Sequence, residues 1–156
     1  MGVAGSGKTT VGSLLASDLG WEFADADDYH SPANVEKMRS GRPLTDADRG
    51  PWLESLRVRI VQWLESGKNA VWACSALRQV YRDRLQVSEQ VHFVFLKGER
   101  DLLCNRLLQR PDHYMKRAML ESQLNTLEEP ADAFVVDASL APAEIVQAIR
   151  VGLCLL

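Results

Sequence analysis

The chain is short of everything that would place it in a membrane, a zinc scaffold or a nucleic-acid groove. No uninterrupted apolar run approaches the roughly 18 residues of a helical span, and no secretory leader is visible. Cysteine is scarce. Cys74, Cys104 and Cys154 are an odd count without metal-like spacing, which suits reduced thiols in a cytoplasmic protein, and all three read as core packing. Positive charge is not in excess either. A net charge of −3 argues against a general polyanion-binding surface, so bound phosphate must be held by a local cluster. Neither a nucleic-acid nor a membrane partner is expected. At 156 residues and 46% hydrophobic, the chain reads as one domain (1–156) with enough apolar mass for a core. No repeat, low-complexity segment or linker divides it.

What is present begins at once. The opening "MGVAGSGKTT" places Gly2 and Gly7 four residues apart and follows them with Lys8 and Thr9, satisfying the G-x-x-x-x-G-K-[ST] phosphate-loop pattern. Glycines let the backbone turn through positive φ, so that consecutive N–H groups from Gly2, Val3, Ala4, Gly5, Ser6 and Gly7 can surround phosphate oxygens. Lys8 would set an ammonium on the β- and γ-phosphates, and Thr9 a hydroxyl on Mg²⁺, with Thr10 completing the turn. Apolar residues at Val11, Leu14, Leu15 and Leu19 ahead of Gly20 predict a helix starting at the loop, whose N-terminal dipole adds to the anion site.

Short apolar runs then alternate with amphipathic stretches. Strands are expected within "WEFAD" (21–25), "NAVWACSA" (69–76), "VHFVFLKG" (91–98) and "FVVDA" (134–138). Helices are expected within 32–41, 46–67 with Pro51 in the first turn, 77–85, 99–110, 113–130 and 142–156. Alternation of this kind implies β-α-β crossovers and an α/β fold with a parallel sheet. Trp21, Trp52, Trp63 and Trp72 read as core or near-core, and His92 as a structural residue within its strand.

A second chemical cluster lies at 25–53. It sets Asp25 and Asp27 at the carboxyl end of a strand, the edge where open α/β sheets bind ligands, and adds His30, Lys37, Arg42 and Arg49 within a few turns. A carboxylate pair beside bound phosphate can hold Mg²⁺ and accept a proton from an attacking hydroxyl. Basic side chains can clamp an anionic acceptor. Arg106 and Arg110, one helical turn apart, share a face directly before a short loop.

With these residues in view, the chain resembles the gluconokinases of the thermoresistant type. Asp25, Asp27, His30, Asn34, Lys37, Met38, Gly41, Pro43, Leu44, Asp46, Asp48, Arg49, Pro51, Trp52 and Leu53 stand at that family's spacing. "CSALRQVYRD" (74–83) and "QLNTLEEP" (123–130) are similar to two further family segments. The resemblance implies a three-layer, nucleoside-monophosphate-kinase-like P-loop fold with strand order 2-3-1-4-5, a lid near 110–118, and often a homodimer. It implies ATP-dependent phosphorylation of the 6-hydroxyl of D-gluconate with Mg²⁺. In this reading Thr9 and Asp25 hold the metal, and Asp27 activates the acceptor hydroxyl. His30, Lys37, Arg49, Arg78 and His113 bind gluconate, while Arg106 and Arg110 reach the nucleotide.

Four features depart from the family pattern. Arg78 replaces a lysine, Asp112 replaces a lid glycine, and Leu124 and Asn125 replace phenylalanine and glutamate. These bear on substrate affinity and lid closure more than on reaction type. The fourth is the apolar strand expected ahead of Gly2, because Met1 stands where it should end. The expectation is a start assigned too far downstream, or a variant without its central strand that binds ATP weakly. Two other functions stay open from the sequence: a catalytically impaired nucleotide-binding isoform, and a kinase for another small acid such as shikimate.

Overall fold

A computed structural model describes residues 1–109 and 113–155, the side chains of 113–117 excepted. After the phosphate loop come α1 (Lys8–Leu19), β1 (Glu22–Asp25), a 3-10 turn (Ala26–Tyr29), α2 (Pro32–Arg39) and α3 (Asp46–Glu65). They are followed by β2 (Ala70–Ala73), α4 (Gln79–Leu85), β3 (Val94–Lys97), α5 (Arg100–Leu108), α6 (His113–Thr126), β4 (Phe134–Asp137) and α7 (Pro142–Gly152). The α/β architecture with parallel strands is as the alternation predicts.

The helices begin where their capping chemistry dictates. Gly7 (φ 95°) turns the chain from the loop into α1, and Gly20 (φ 66°) ends it. At α3 the Thr45 side chain accepts from the Asp48 N–H while Asp48 accepts from the Thr45 N–H. This reciprocal cap starts the helix at Asp46, so Pro51 lies in the second turn rather than the first. Trp52, Leu53, Leu56, Ile60 and Trp63 form the buried face of α3.

The strands pair as two separate parallel ribbons, β1–β2 and β3–β4. Glu22 stands opposite Ala70 in the first, and Val94 opposite Phe134 in the second. The order agrees with 2-3-1-4-5 less its middle member. One apolar cluster gathers α3, Cys74, Tyr81 and Leu85. A second joins Val11 and Leu15 of α1 to Leu96, Val136 and Ile145, so α1 clasps the two ribbons together.

Several single-residue expectations change. Cys74 is buried, but Cys104 is half-buried and Cys154 is exposed in a left-handed turn (φ 52°), so only one cysteine is full core packing. β3 starts at Val94, and His92 is exposed ahead of it. Its partner strand β4 starts only at Phe134, whose N–H donates to the Phe93 carbonyl, which leaves His92 beyond the ladder. Trp52 and Trp63 are buried, and Trp21 and Trp72 half-buried. Among the described residues, no helix is long and apolar enough to cross a membrane.

Candidate active site

The loop between Met1 and α1 forms the nucleotide side. Gly2 has φ 143°, a conformation L side chains rarely adopt, and a Cβ there would stand 2.9 Å from both the Leu96 carbonyl and the Ser6 hydroxyl. The loop closes on itself through Ser6 N–H to the Val3 carbonyl (3.3 Å) and Lys8 Nζ to the same carbonyl (3.1 Å). Among the described residues, the N–H groups of Gly5, Gly7 and Thr9 donate to no protein acceptor. Three open amides at the start of α1 are the chemistry an anion needs. The Ser6 hydroxyl is buried beside them without a partner. Arg106 reaches the loop from α5, its Nη1 donating to the Gly5 carbonyl at 3.4 Å.

Next to the loop stands a pair of carboxylates. Asp25 ends β1, and its Oδ2 accepts from Thr9 Oγ1 at 2.7 Å. Its Oδ1 accepts the Asp27 N–H and caps the 3-10 turn. A threonine hydroxyl and a carboxylate held together are hard oxygen donors that suit Mg²⁺, which otherwise keeps waters and phosphate oxygens. Among the described residues no cluster of three or more His, Cys, Asp or Glu offers an alternative metal cage. The Asp27 carboxyl is pushed above the ordinary carboxylate range, first by desolvation and then by the Asp25 charge. Its side chain is 85% exposed, and the neighbouring Asp25 carboxylate opposes a second negative charge there.

The acceptor side is made of side chains from α3, α4 and the turn before α2. His30 is 5% exposed, and its Nε2 lies 4.0 Å from Asp27 Oδ1. Its ring stacks on Trp52 at 4.4 Å, and Trp52 is fixed by donating to the Ala26 carbonyl. Burial, with Arg49 adding, pulls the imidazole below its usual pKa, against the opposing effect of Asp27. The His30 Nδ1 is buried without a partner. Arg49 approaches Tyr81 Oη (3.5 Å) and Asp46 Oδ1 (3.8 Å), while Arg78 Nη1 donates to Asp46 Oδ2 at 2.8 Å. Tyr81 also donates to Asp46, whose carboxyl lies below the usual range because of the Tyr81 and Arg78 hydrogen bonds.

The structure thus brings Gly2–Thr9, Asp25, Asp27 and Arg106 together on one side and His30, Arg49 and Arg78 on the other. Thr10 sits exposed on the first turn of α1, its carbonyl accepting from Ser13. Lys37 is ion-paired within the protein. Its Nζ bonds Asp48 at 2.5 Å, reinforcing the cap of α3, and holds that carboxyl far below its usual range. Arg110 and Asp112 lie outside the described residues, as does the His113 side chain. Positions 113–118 of the expected lid belong to the start of α6.

Four contributors escaped the sequence reading although each stands in a quoted segment. Asp46 and Tyr81 contact the two arginines. Gln123 Oε1 accepts the Ala4 N–H at 2.7 Å, tying α6 to the loop. Arg82, 2% exposed, donates to the carbonyls of Ala76, Leu77 and Glu128 and to Gln79 Oε1. It thereby pins the turn at Ala76 (φ 44°) that presents Arg78. A long cationic side chain buried on a short helix leaves no periodic signature, so only a contact map finds it.

Comparison with known proteins agrees with this geometry. The shikimate kinase family model matches residues 4–152. The gluconokinase of Gluconobacter oxydans is 47% identical over 133 residues, covering 85% of this chain and 75% of its own. The thermoresistant gluconokinase of Escherichia coli is 42% identical over 142 residues, covering 88% and 81%. The solved gluconokinase of Sinorhizobium meliloti superposes with a TM-score of 0.87 at 42% identity, over 99% of this chain and 89% of that one. The chain therefore belongs to the P-loop kinase family described by the shikimate kinase model and, within it, to the gluconokinases.

Proposed function

We infer that this chain phosphorylates the 6-hydroxyl of D-gluconate with ATP, giving 6-phosphogluconate. The observation that carries the reading is the Thr9–Asp25 contact at 2.7 Å beside a loop of open amides, with Asp27 two residues further on. That arrangement would set side by side two oxygen donors for one metal ion, a phosphate cradle and a carboxylate for the acceptor.

In-line phosphoryl transfer needs little covalent chemistry from the protein; positioning and charge neutralisation supply most of the rate. The amides of Gly5, Gly7 and Thr9 would hold the β- and γ-phosphates, with Lys8 between them and Arg106 above the loop. Thr9 and Asp25 would hold Mg²⁺, which when bound neutralises phosphate charge. Asp27 would orient the acceptor hydroxyl and take its proton. Arg49 and Arg78 would receive the gluconate carboxylate, and His30 a hydroxyl through its unpaired Nδ1. Lys37 contributes by fixing α2 against α3 rather than by direct contact. Arg110 and His113 complete the proposed set from the lid. A cytoplasmic, homodimeric enzyme is part of the same reading.

A second acid substrate is the competing reading, because the matching family model carries the name of shikimate kinase. The solved shikimate kinase of Aquifex aeolicus is 19% identical with a TM-score of 0.60, a likeness of fold alone. Coupled ADP release with gluconate, shikimate and nucleoside monophosphates decides between them. Gluconate-dependent turnover is expected. Turnover with shikimate alone, or nucleotide binding without any turnover, overturns the reading.

A further inference from the structure

One peptide unit of the phosphate loop, the link from Val3 to Ala4, is gripped at both of its polar atoms. Its N–H donates to Gln123 Oε1 at 2.7 Å. Its carbonyl, on Val3, accepts from Lys8 Nζ at 3.1 Å and from the Ser6 N–H at 3.3 Å. A peptide is planar, so its N–H and its carbonyl point in opposite directions and cannot turn independently. The glutamine that fixes one therefore fixes the other, and with it the oxygen on which the Lys8 ammonium rests. Hydrogen bonds at both ends also polarise the unit, and each strengthens the other.

Gln123 is itself held in place. Leu120, three residues earlier on α6, is fully buried. Leu124 and Leu127 join it in an apolar cluster with Val3, Ala4, Leu103 and Leu107. Arg100 of α5 pairs with Glu121 of α6, and the two helices form one hairpin. Past the end of α6, Glu128 N–H donates to the Leu77 carbonyl at 2.9 Å, and its carboxylate accepts the Gln79 N–H. The same hairpin reaches the loop a second time through Arg106, which donates to the Gly5 carbonyl. An amide suits position 123 because it accepts without charge. A carboxylate would take the same N–H but would set a negative charge beside the phosphate site and draw Lys8 toward itself.

We propose that Gln123 is a positioning residue for Lys8: through the peptide between Val3 and Ala4 it sets where the ammonium stands against the phosphates of the nucleotide. The proposal rests on the reading of Gly2 to Thr9 as the ATP site and is independent of which hydroxyl accepts the phosphoryl group. Without an acceptor at position 123 the Ala4 N–H must find water, and the peptide is free to rotate. The Val3 carbonyl then leaves Lys8, and the ammonium loses the support that aims it.

The test is a double-mutant cycle read in ATP dissociation constants, which needs no turnover. Gln123→Met keeps the length of the side chain and removes the acceptor. It should weaken ATP binding about tenfold, the order of one hydrogen bond, and lower kcat while KM for gluconate stays nearly unchanged. In a Lys8→Ala background the same substitution should change ATP affinity by less than about twofold, because the group it acts through is gone. An equal loss in both backgrounds would show that Gln123 supports the loop at large, and would overturn the proposal. Gln123→Glu guards against a variant that merely folds badly, since it keeps an acceptor. At roughly 0.5 M salt, which screens the added charge, it should bind ATP nearly as well as the unsubstituted chain in the same salt. If it is as weak there as Gln123→Met, the hydrogen bond is not the agent and the proposal fails. Gluconate turnover by the unsubstituted chain is scored separately. Its absence sinks the function proposed above, while the ATP cycle still decides for or against Gln123.

Discussion

The nucleotide side of the cleft is built from backbone on one continuous stretch, whereas the acceptor side is built from side chains that converge from α3 and α4. On the first side Gly5, Gly7 and Thr9 offer amides whose directions the glycine turns and α1 dictate. On the second, Asp46 holds Arg49, Arg78 and Tyr81 in a self-paired cluster in which Asp46 is exposed and Tyr81 buried. The first arrangement is set by backbone dihedrals and makes no side-chain choice of acceptor. In the function proposed above, the second would exchange its internal ion pairs for those of an acid substrate, with specificity there and chemistry at the loop.

The comparison breaks most sharply at Lys8. Lys8→Ala should lower kcat by roughly 10³-fold, the scale of losing one preorganised charge contact, while the melting temperature stays nearly constant. Unchanged gluconate-dependent ADP release from a folded Lys8→Ala protein would mean that the loop is not the phosphate site. Asp27→Asn comes next, with kcat down about 10²- to 10⁴-fold and KM for ATP little altered. The pH profile sharpens it. A base works only when ionised, so kcat/KM should rise with pH through the Asp27 pKa, which lies above the ordinary carboxylate range. That limb should be missing from Asp27→Asn.

The acceptor side predicts smaller effects, in KM rather than kcat. Arg49→Ala should raise KM for gluconate about ten- to a hundredfold, the value of one charge-assisted hydrogen bond. If KM for ATP rose instead, the assignment of the two sides would be reversed. Asp46→Asn should move KM for gluconate the other way, down by roughly two- to fivefold, because exposed ion pairs contribute little and the substrate carboxylate no longer competes for Arg49 and Arg78. A higher KM in Asp46→Asn would show that Asp46 positions the arginines rather than occupying them.

The same division decides what could be read before the fold was known. Gly2 to Thr9 is a contiguous motif whose spacing encodes its geometry, and the strands and helices follow their apolar periods closely. Pro51 misled because the Thr45–Asp48 cap, a side-chain event, moved the helix start upstream. The charge of Lys37 is visible in sequence, and its bond to Asp48 is not. Arg82 and Gln123 were missed for the same reason: their partners lie on other elements, at separations no local pattern records.

The division of the sheet carries a kinetic consequence. Each ribbon pairs strands that lie tens of residues apart, so each must close a long loop before its first backbone bond forms. Among the described residues neither ribbon hydrogen-bonds directly to the other, and the clasp between them is α1 with the backbone bonds of Met1 to Leu96 and of Gly2 to Ser75. Native-state hydrogen exchange should therefore report two cooperative units rather than one, with β3–β4 and α7 opening separately from β1–β2 and α3. The amides of α1 should be the last to exchange, because they are released only when both units have come apart.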